Sequence, residues 1–112
     1  MTKRPRGLSD LDRIEVVFAA LAHPTRRQIL TVLRARGGTM TSGELASRFE
    51  CSWPTTTRHL GVLSDADLVT TDKHGRERHY SLNVNELDQV AGAWIDRFGA
   101  SSQGPDAPTL SD

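Results

Sequence analysis

Ser52-Trp53-Pro54-Thr55-Thr56-Thr57-Arg58-His59-Leu60-Gly61-Val62-Leu63 reads as a short helix with one face for a core and the other for a partner. Ser52 is a good N-cap, because its hydroxyl can accept from an orphan amide of the first turn. Pro54 is tolerated this early, where its missing N–H has no intrahelical acceptor to lose. Thr56, Leu60 and Leu63 recur at helical spacing and form the inward stripe. Trp53, Thr55, Thr57, Arg58 and Gly61 fall mostly off that stripe. A hydroxyl-rich first turn, then an arginine and a small residue, suits close approach to a polyanion. The competing reading is a plain surface helix, since threonines are mediocre helix formers. The flanking segments decide.

Upstream, Thr41-Ser42-Gly43-Glu44 is a capping box, with Glu44 reaching back to the cap residue. It opens a short helix with Leu45, Ala46 and Phe49 inward, and Glu50-Cys51 makes the turn into Ser52. A capped short helix, a tight turn and a second helix with a polar outer face is helix-turn-helix grammar. Downstream, Leu68 to Thr71 and Glu77 to Leu82 alternate as strands, with Tyr80 and Leu82 on one side. Asp72-Lys73-His74-Gly75-Arg76 joins them, and Gly75 can take the positive φ a hairpin turn needs. A hairpin directly after a helix-turn-helix is the wing of a winged helix. Lys73, Arg76 and Arg78, with His74 beside them, favour phosphate or minor-groove contact over a merely solvated loop.

The outer segments complete the pattern. Leu11, Ile14, Val17, Phe18 and Leu21 recur at three- and four-residue steps, starting near Ser9 or Asp10, and Val16 widens the apolar face. Ala22-His23-Pro24 breaks that helix, with His23 as a capping or packing residue. A second helix carries Ile29, Leu30, Val32 and Leu33 to Arg36, and Gly37-Gly38 ends it. Thr39 and Met40 are short and extended. After Asn83-Val84-Asn85, where either asparagine can cap, Leu87, Val90, Ala91, Trp94, Ile95 and Phe98 form a stripe heavier than one small domain requires. Gly99 stops it. The expectation is a mainly α winged helix-turn-helix domain over 9–99, ordered helix-helix-helix-helix-hairpin-helix. A flexible basic arm, 1–8, precedes it, and a Ser-, Gly- and Pro-rich disordered tail, 100–112, follows it.

At 112 residues, with no long apolar run, the chain is read as one soluble domain, small enough that burial in an oligomer helps. The basic start lacks the apolar core of a secretory signal, and the one cysteine fits a reducing cytoplasm. The formal net charge is zero, which argues against a nucleic-acid binder only if the total is what counts. Pro24 to Arg36 carries four arginines and no acid, while acids collect at Glu86, Asp88, Asp96, Asp106 and Asp112. Local field governs phosphate binding more than the sum does.

Leu21-Ala22-His23-Pro24-Thr25-Arg26-Arg27-Gln28-Ile29-Leu30, Gly43-Glu44-Leu45-Ala46, Arg58-His59-Leu60-Gly61-Val62-Leu63, Leu68-Val69 and Tyr80-Ser81-Leu82 together resemble the ArsR/SmtB-type family of winged-helix transcriptional repressors, in order and at family spacing. The resemblance implies a homodimer joined by the first and last helices, through Leu11, Ile14, Phe18, Leu87, Val90, Ala91, Trp94, Ile95 and Phe98. It implies the helix of Ser52, Trp53, Pro54, Thr55, Thr57, Arg58 and His59 in the major groove of double-stranded DNA. Lys73, His74, Arg76 and Arg78 would lie along the backbone, on a palindromic operator.

Departures matter as much. Trp53 stands where the family often has glutamine, whose amide can read adenine; an indole donates one bond or packs on a sugar or thymine methyl. The family's cysteine ligands at the start of the third helix have no counterpart in Thr39 to Leu45. Its last-helix histidines have none in Glu86 to Phe98. The reading is therefore a member without metal or cofactor, its small-molecule inducer undetermined. Cys51 precedes a helix N-terminus and reads either as a redox switch or as a small apolar turn residue. No nucleophile motif or phosphate-binding glycine loop suggests an enzyme. The alternative function is a winged-helix protein-interaction module that does not bind specific DNA, for which zero net charge and an exposed indole speak.

Overall fold

The computed structural model describes residues 10–99; the arm, the tail and Ser9 fall outside that range, as does any description of the Leu11 side chain. Helices α1 (Asp10–Leu21) and α2 (Pro24–Ala35) lead to strand β1 (Thr39–Thr41), then α3 (Ser42–Ala46) and α4 (Trp53–Asp65). Strands β2 (Val69–His74) and β3 (Glu77–Leu82) form the wing. The last helical run comprises α5 (Val84–Leu87), a π-helical turn (Asp88–Gly92) and α6 (Ala93–Asp96). This is a winged helix-turn-helix.

Local chemistry sets each boundary. His23 caps α2, its Nδ1 accepting from the Thr25 N–H at 3.1 Å, and Pro24 follows in the first turn. The Thr41–Glu44 capping box is reciprocal: Glu44 N–H donates to Thr41 Oγ1 at 3.1 Å, and Thr41 N–H to Glu44 Oε1 at 2.9 Å. The backbone N–H of Thr41 holds the Glu44 carboxyl below its usual range. Helices α2 and α4 both end in Schellman motifs. Gly38 N–H reaches Leu33 O at 2.7 Å, and Leu68 N–H reaches Leu63 O at 3.0 Å. At α4 the left-handed residue is Asp67, with φ +62°, and Asn83 Nδ2 donates to its carbonyl at 2.8 Å.

The sheet is antiparallel with order β1-β3-β2, so the wing is wider than a hairpin. Met40 pairs with Tyr80, and Tyr80 in turn with Thr71. The two-residue extension expected at Thr39 and Met40 is thus an edge strand that ties the helix-turn-helix to the wing. Ile29, Leu33, Met40, Leu45, Leu60, Leu63 and Leu68 are fully buried and form the centre of the core. Helix α3 contributes Leu45 alone. Ala46, expected inward, is exposed, and Phe49 is half-buried beyond the helix end, because five residues supply too little helix for a continuous face.

The expected stripe of the last helix divides in two. Val90 and Ala91 are buried against the protomer's own core, whereas Trp94, Ile95 and Phe98 are exposed, Phe98 to 70%. The π-helical turn holds Val90 and Ala91 and ends just before Ala93 and Trp94, and the extra residue such a turn carries breaks the register that an uninterrupted helix would keep. Arg13 Nη2 clamps this run to α1 through both Glu86 carboxylate oxygens, each at 2.8 Å.

Because the capping box satisfies the orphan amides of α3, Thr41→Ala is expected to lower stability by about 1 kcal/mol. Urea unfolding should show the midpoint falling with an unchanged slope.

Candidate nucleic-acid interface

Helix α4 is held in one rotational setting. Thr56, Leu60 and Leu63, the expected inward stripe, are all buried. Ser52 caps the helix by accepting from Thr55 N–H at 3.3 Å, and its own hydroxyl donates to Thr55 Oγ1 at 3.1 Å. Thr56 Oγ1 donates to Ser52 O at 3.1 Å and lies 3.3 Å from Cys51 Sγ. A hydroxyl has one proton, so the Cys51 thiol must be the donor in that last contact. Cys51 is half-buried and forms part of the bonded turn.

With that stripe inward, Ser52, Trp53, Pro54, Thr57 and Arg58 are exposed and Thr55 is half-buried. On the wing, Lys73, His74, Arg76 and Arg78 are all exposed. The side chains of Arg58, Lys73, Arg76 and Arg78 form no ion pair with any described residue. Exposed cations held on two adjoining elements, without internal partners, are what phosphate neutralisation needs. Between these elements lies a cleft of about 330 Å³ lined by Ser42, Trp53, Thr57, Arg76, Arg78 and Tyr80. Ser42 and Tyr80 were not among the sequence candidates. Ser42 reads as the first residue of a capped helix and Tyr80 as a core position of β3, and only the fold puts them beside Trp53.

His59, grouped with the reading face in the sequence, turns sideways instead. Its ring is half-buried, 4.4 Å from that of His23 between centroids, and its Nδ1 lies 3.2 Å from Arg26 Nη1. A guanidinium can only donate, so His59 Nδ1 is an acceptor and the ring proton is on Nε2. Arg26 also donates to Ala20 O at 2.7 Å and Ala19 O at 3.2 Å. One arginine therefore joins the end of α1, the start of α2 and the middle of α4. Burial holds the His59 pKa below its ordinary value of 6.5, and the neighbouring His23, Arg26 and Arg58 act in the same direction. At the wing, the His74 and His79 rings meet edge to face at 4.4 Å. Among the described residues no three His, Cys, Asp or Glu side chains stand close enough to share a metal ion.

The residues expected at a subunit contact fall into groups. Ile14, Val90 and Ala91 belong to the protomer's own core. Phe18 and Leu87 are half-buried, and Trp94, Ile95 and Phe98 are open. Trp94 bridges Phe18 and Phe98 in edge-to-face contacts at 5.2 and 4.9 Å. Beside them an apolar groove of about 560 Å³ runs between α1, α2 and the last helix, past Leu21, Leu30, Val84 and Ile95.

Residues 21–72 match the model of a helix-turn-helix domain. The transcriptional repressor SdpR of Bacillus subtilis (strain 168) is 41% identical over 82 residues, covering 73% of this chain and 88% of that protein. The arsenical resistance operon repressor of Staphylococcus xylosus is 33% identical over 91 residues, covering 81% of this chain and 85% of that one. Among solved structures, the crystal structure of an ArsR family transcriptional regulator superimposes with a TM-score of 0.71 at 30% identity. The match covers 83% of this chain and 93% of that one.

For a histidine whose folded pKa is depressed, the stabilising contribution is complete above the unfolded value. It is lost as pH falls through the folded one, because the unfolded chain takes up the proton first. The melting temperature of the wild-type chain should therefore decline below about pH 6.5 more steeply than that of His59→Asn, whose Oδ1 can still accept from Arg26. Superimposable profiles in a differential scanning series would exclude His59 as the titrating group.

Proposed function

The chain belongs to the ArsR family of winged helix-turn-helix transcriptional regulators, and on that premise we propose that it is a cytoplasmic, homodimeric repressor bound to a palindromic operator. Helix α4 enters the major groove, and Thr55, Thr57, Arg58 and Trp53 face base edges or the adjacent phosphates. Lys73, His74, Arg76 and Arg78 follow the backbone beside it. The observation that carries this reading is the outward placement of Arg58 with three wing cations, none paired within the described residues. Two copies join through Phe18, Leu87, Trp94, Ile95 and Phe98. Exposed aromatic and branched side chains beside an apolar groove support that contact. Leu11 extends the same face in sequence. Ile14, Val90 and Ala91 back it from within the protomer, adding little area of their own.

Trp53 is the feature that favours a protein-binding module, since the residue is 36% exposed. It lines a cleft with Arg76 and Arg78, however, and an indole beside two guanidiniums suits a sugar-phosphate strand better than an apolar groove of another protein.

Fluorescence anisotropy against genomic fragments, the chain's own promoter among them, tests the function. Salt-sensitive retention of one fragment is expected, and none at low salt would leave the interaction module. On the retained fragment, Arg58→Ala should lose about 1–3 kcal/mol if the guanidinium reads guanine. A loss equal on operator and random DNA would make it a phosphate contact. Lys73→Ala should weaken binding uniformly and make the salt dependence shallower. For the dimer, Phe98→Asp places a charge on the open apolar face. Sedimentation should show the wild type as a dimer and the variant as a monomer.

A further inference from the structure

We propose that the cleft between α4 and the wing is a phosphate site that takes one backbone phosphate of the operator, with the Tyr80 hydroxyl as a donor at its floor. The proposal rests on the DNA-binding reading above and assigns a specific subsite within it.

The cleft is built from donors. Arg76 and Arg78 have guanidiniums that only donate, Trp53 offers an indole N–H, and Ser42, Thr57 and Tyr80 carry hydroxyls. No carboxylate lines it. Among the described residues, no ion pair holds Arg76 or Arg78, and no side-chain hydrogen bond occupies the hydroxyls of Ser42, Thr57 and Tyr80. A cluster of idle donors around one space, with planar guanidiniums on one wall, matches the several oxygens of a phosphate.

Tyr80 is the residue that separates this cleft from an ordinary charged surface. It is buried, at 4% exposure, and it pairs through its backbone with both neighbouring strands. Core tyrosines usually have a hydroxyl partner. Here there is none, and yet no buried side-chain oxygen among the described residues lacks a partner. The hydroxyl therefore keeps contact with solvent, and the open space that Tyr80 lines is this cleft.

The backbone explains why these groups converge. Arg76, Arg78 and Tyr80 are two residues apart and share one face as the chain leaves the wing turn. Trp53 and Thr57 are four apart and share one side of α4. Ser42 opens α3, directly after β1, whose Met40 pairs with Tyr80. With α4 in the major groove as proposed above, a DNA strand running from α4 to the wing crosses this place.

Tyr80→Phe is the decisive variant, because it keeps the buried ring and removes only an oxygen that bonds to nothing in the protein. Its melting temperature should equal that of the wild type. On the retained genomic fragment its affinity should fall by about tenfold, equally on random DNA, with an unchanged salt slope because no charge is lost. Arg78→Gln should weaken binding and lower the slope by about one. A scan of single methylphosphonates along the fragment should find one position per half-site that weakens the wild type more than it weakens Tyr80→Phe. Unchanged affinity of Tyr80→Phe, with the wild type bound, overturns this proposal and leaves the repressor reading intact. A wild-type chain that binds no fragment overturns both. Inorganic phosphate at constant ionic strength should leave the complex undisturbed. Displacement of DNA by phosphate, lost in Tyr80→Phe, would assign the cleft to a free phosphoryl ligand and overturn the operator assignment.

Discussion

Thr56 is the one buried polar residue among those described, at 1% exposure, and the reading face of the molecule depends on it. A hydroxyl at that depth is tolerable only if its bonds are made. They are made locally, outward to Ser52 O and inward from the Cys51 thiol. Because both partners belong to the turn before α4, the helix cannot rotate without losing them. Leu60 and Leu63, buried at the following turns, make the same setting favourable through apolar burial. The outward direction of Trp53, Thr57 and Arg58 is thus the complement of an inward constraint.

The second constraint is the angle between α4 and the wing. Asp67 adopts the left-handed conformation that reverses the chain, and Asn83 holds its carbonyl from the far end of β3. Asn83 also caps α5, its Oδ1 accepting from Glu86 N–H at 3.3 Å. One side chain therefore fixes where α4 ends, where the wing closes and where the last helix begins. Strand β3 is central to the sheet, so Arg78 rides on the best-supported strand, with Arg76 in the turn just before it, while β1 and β2 are edges.

Much of this is legible in the chain. Thr41 with Glu44, and Ser52 with Pro54, announce two helix starts. The spacing of Thr56, Leu60 and Leu63 gives the inward face of α4, and Gly75 gives the wing turn, where φ is +65°. Boundaries set by a local cap are read correctly because the signal is itself the bond, while the face of short α3 is not, Ala46 being exposed. What escapes is set at a distance. Tyr80 and Ser42 become neighbours of Trp53 only through the pairing of Met40 with Tyr80, across residues far apart in sequence. His59 shares its helix face with nothing that reveals Arg26 and His23. The π-helical turn divides a stripe that uniform helical spacing makes continuous, so residues such as Val90 and Phe98 look equivalent in sequence and are opposite in exposure.

The zero net charge is reconciled with a polyanion partner by where the acids are engaged. Glu86 is drawn to Arg13 of α1, and Glu44 folds back onto the backbone of Thr41. Glu77, on the wing itself, leans toward His79 at 3.7 Å rather than toward an arginine. Arg58, Lys73, Arg76 and Arg78 are left with no ion pair to a described residue. Charges interact over about 10 Å at ordinary salt, so a phosphate at the α4–wing cleft feels Glu77 as well, but Arg76 and Arg78 line the cleft and no carboxylate does. A chain can be neutral in sum and still present a positive cleft, provided cations line it and no acid does. That arrangement limits indiscriminate attraction to nucleic acid and leaves affinity to the place where shape and donors coincide.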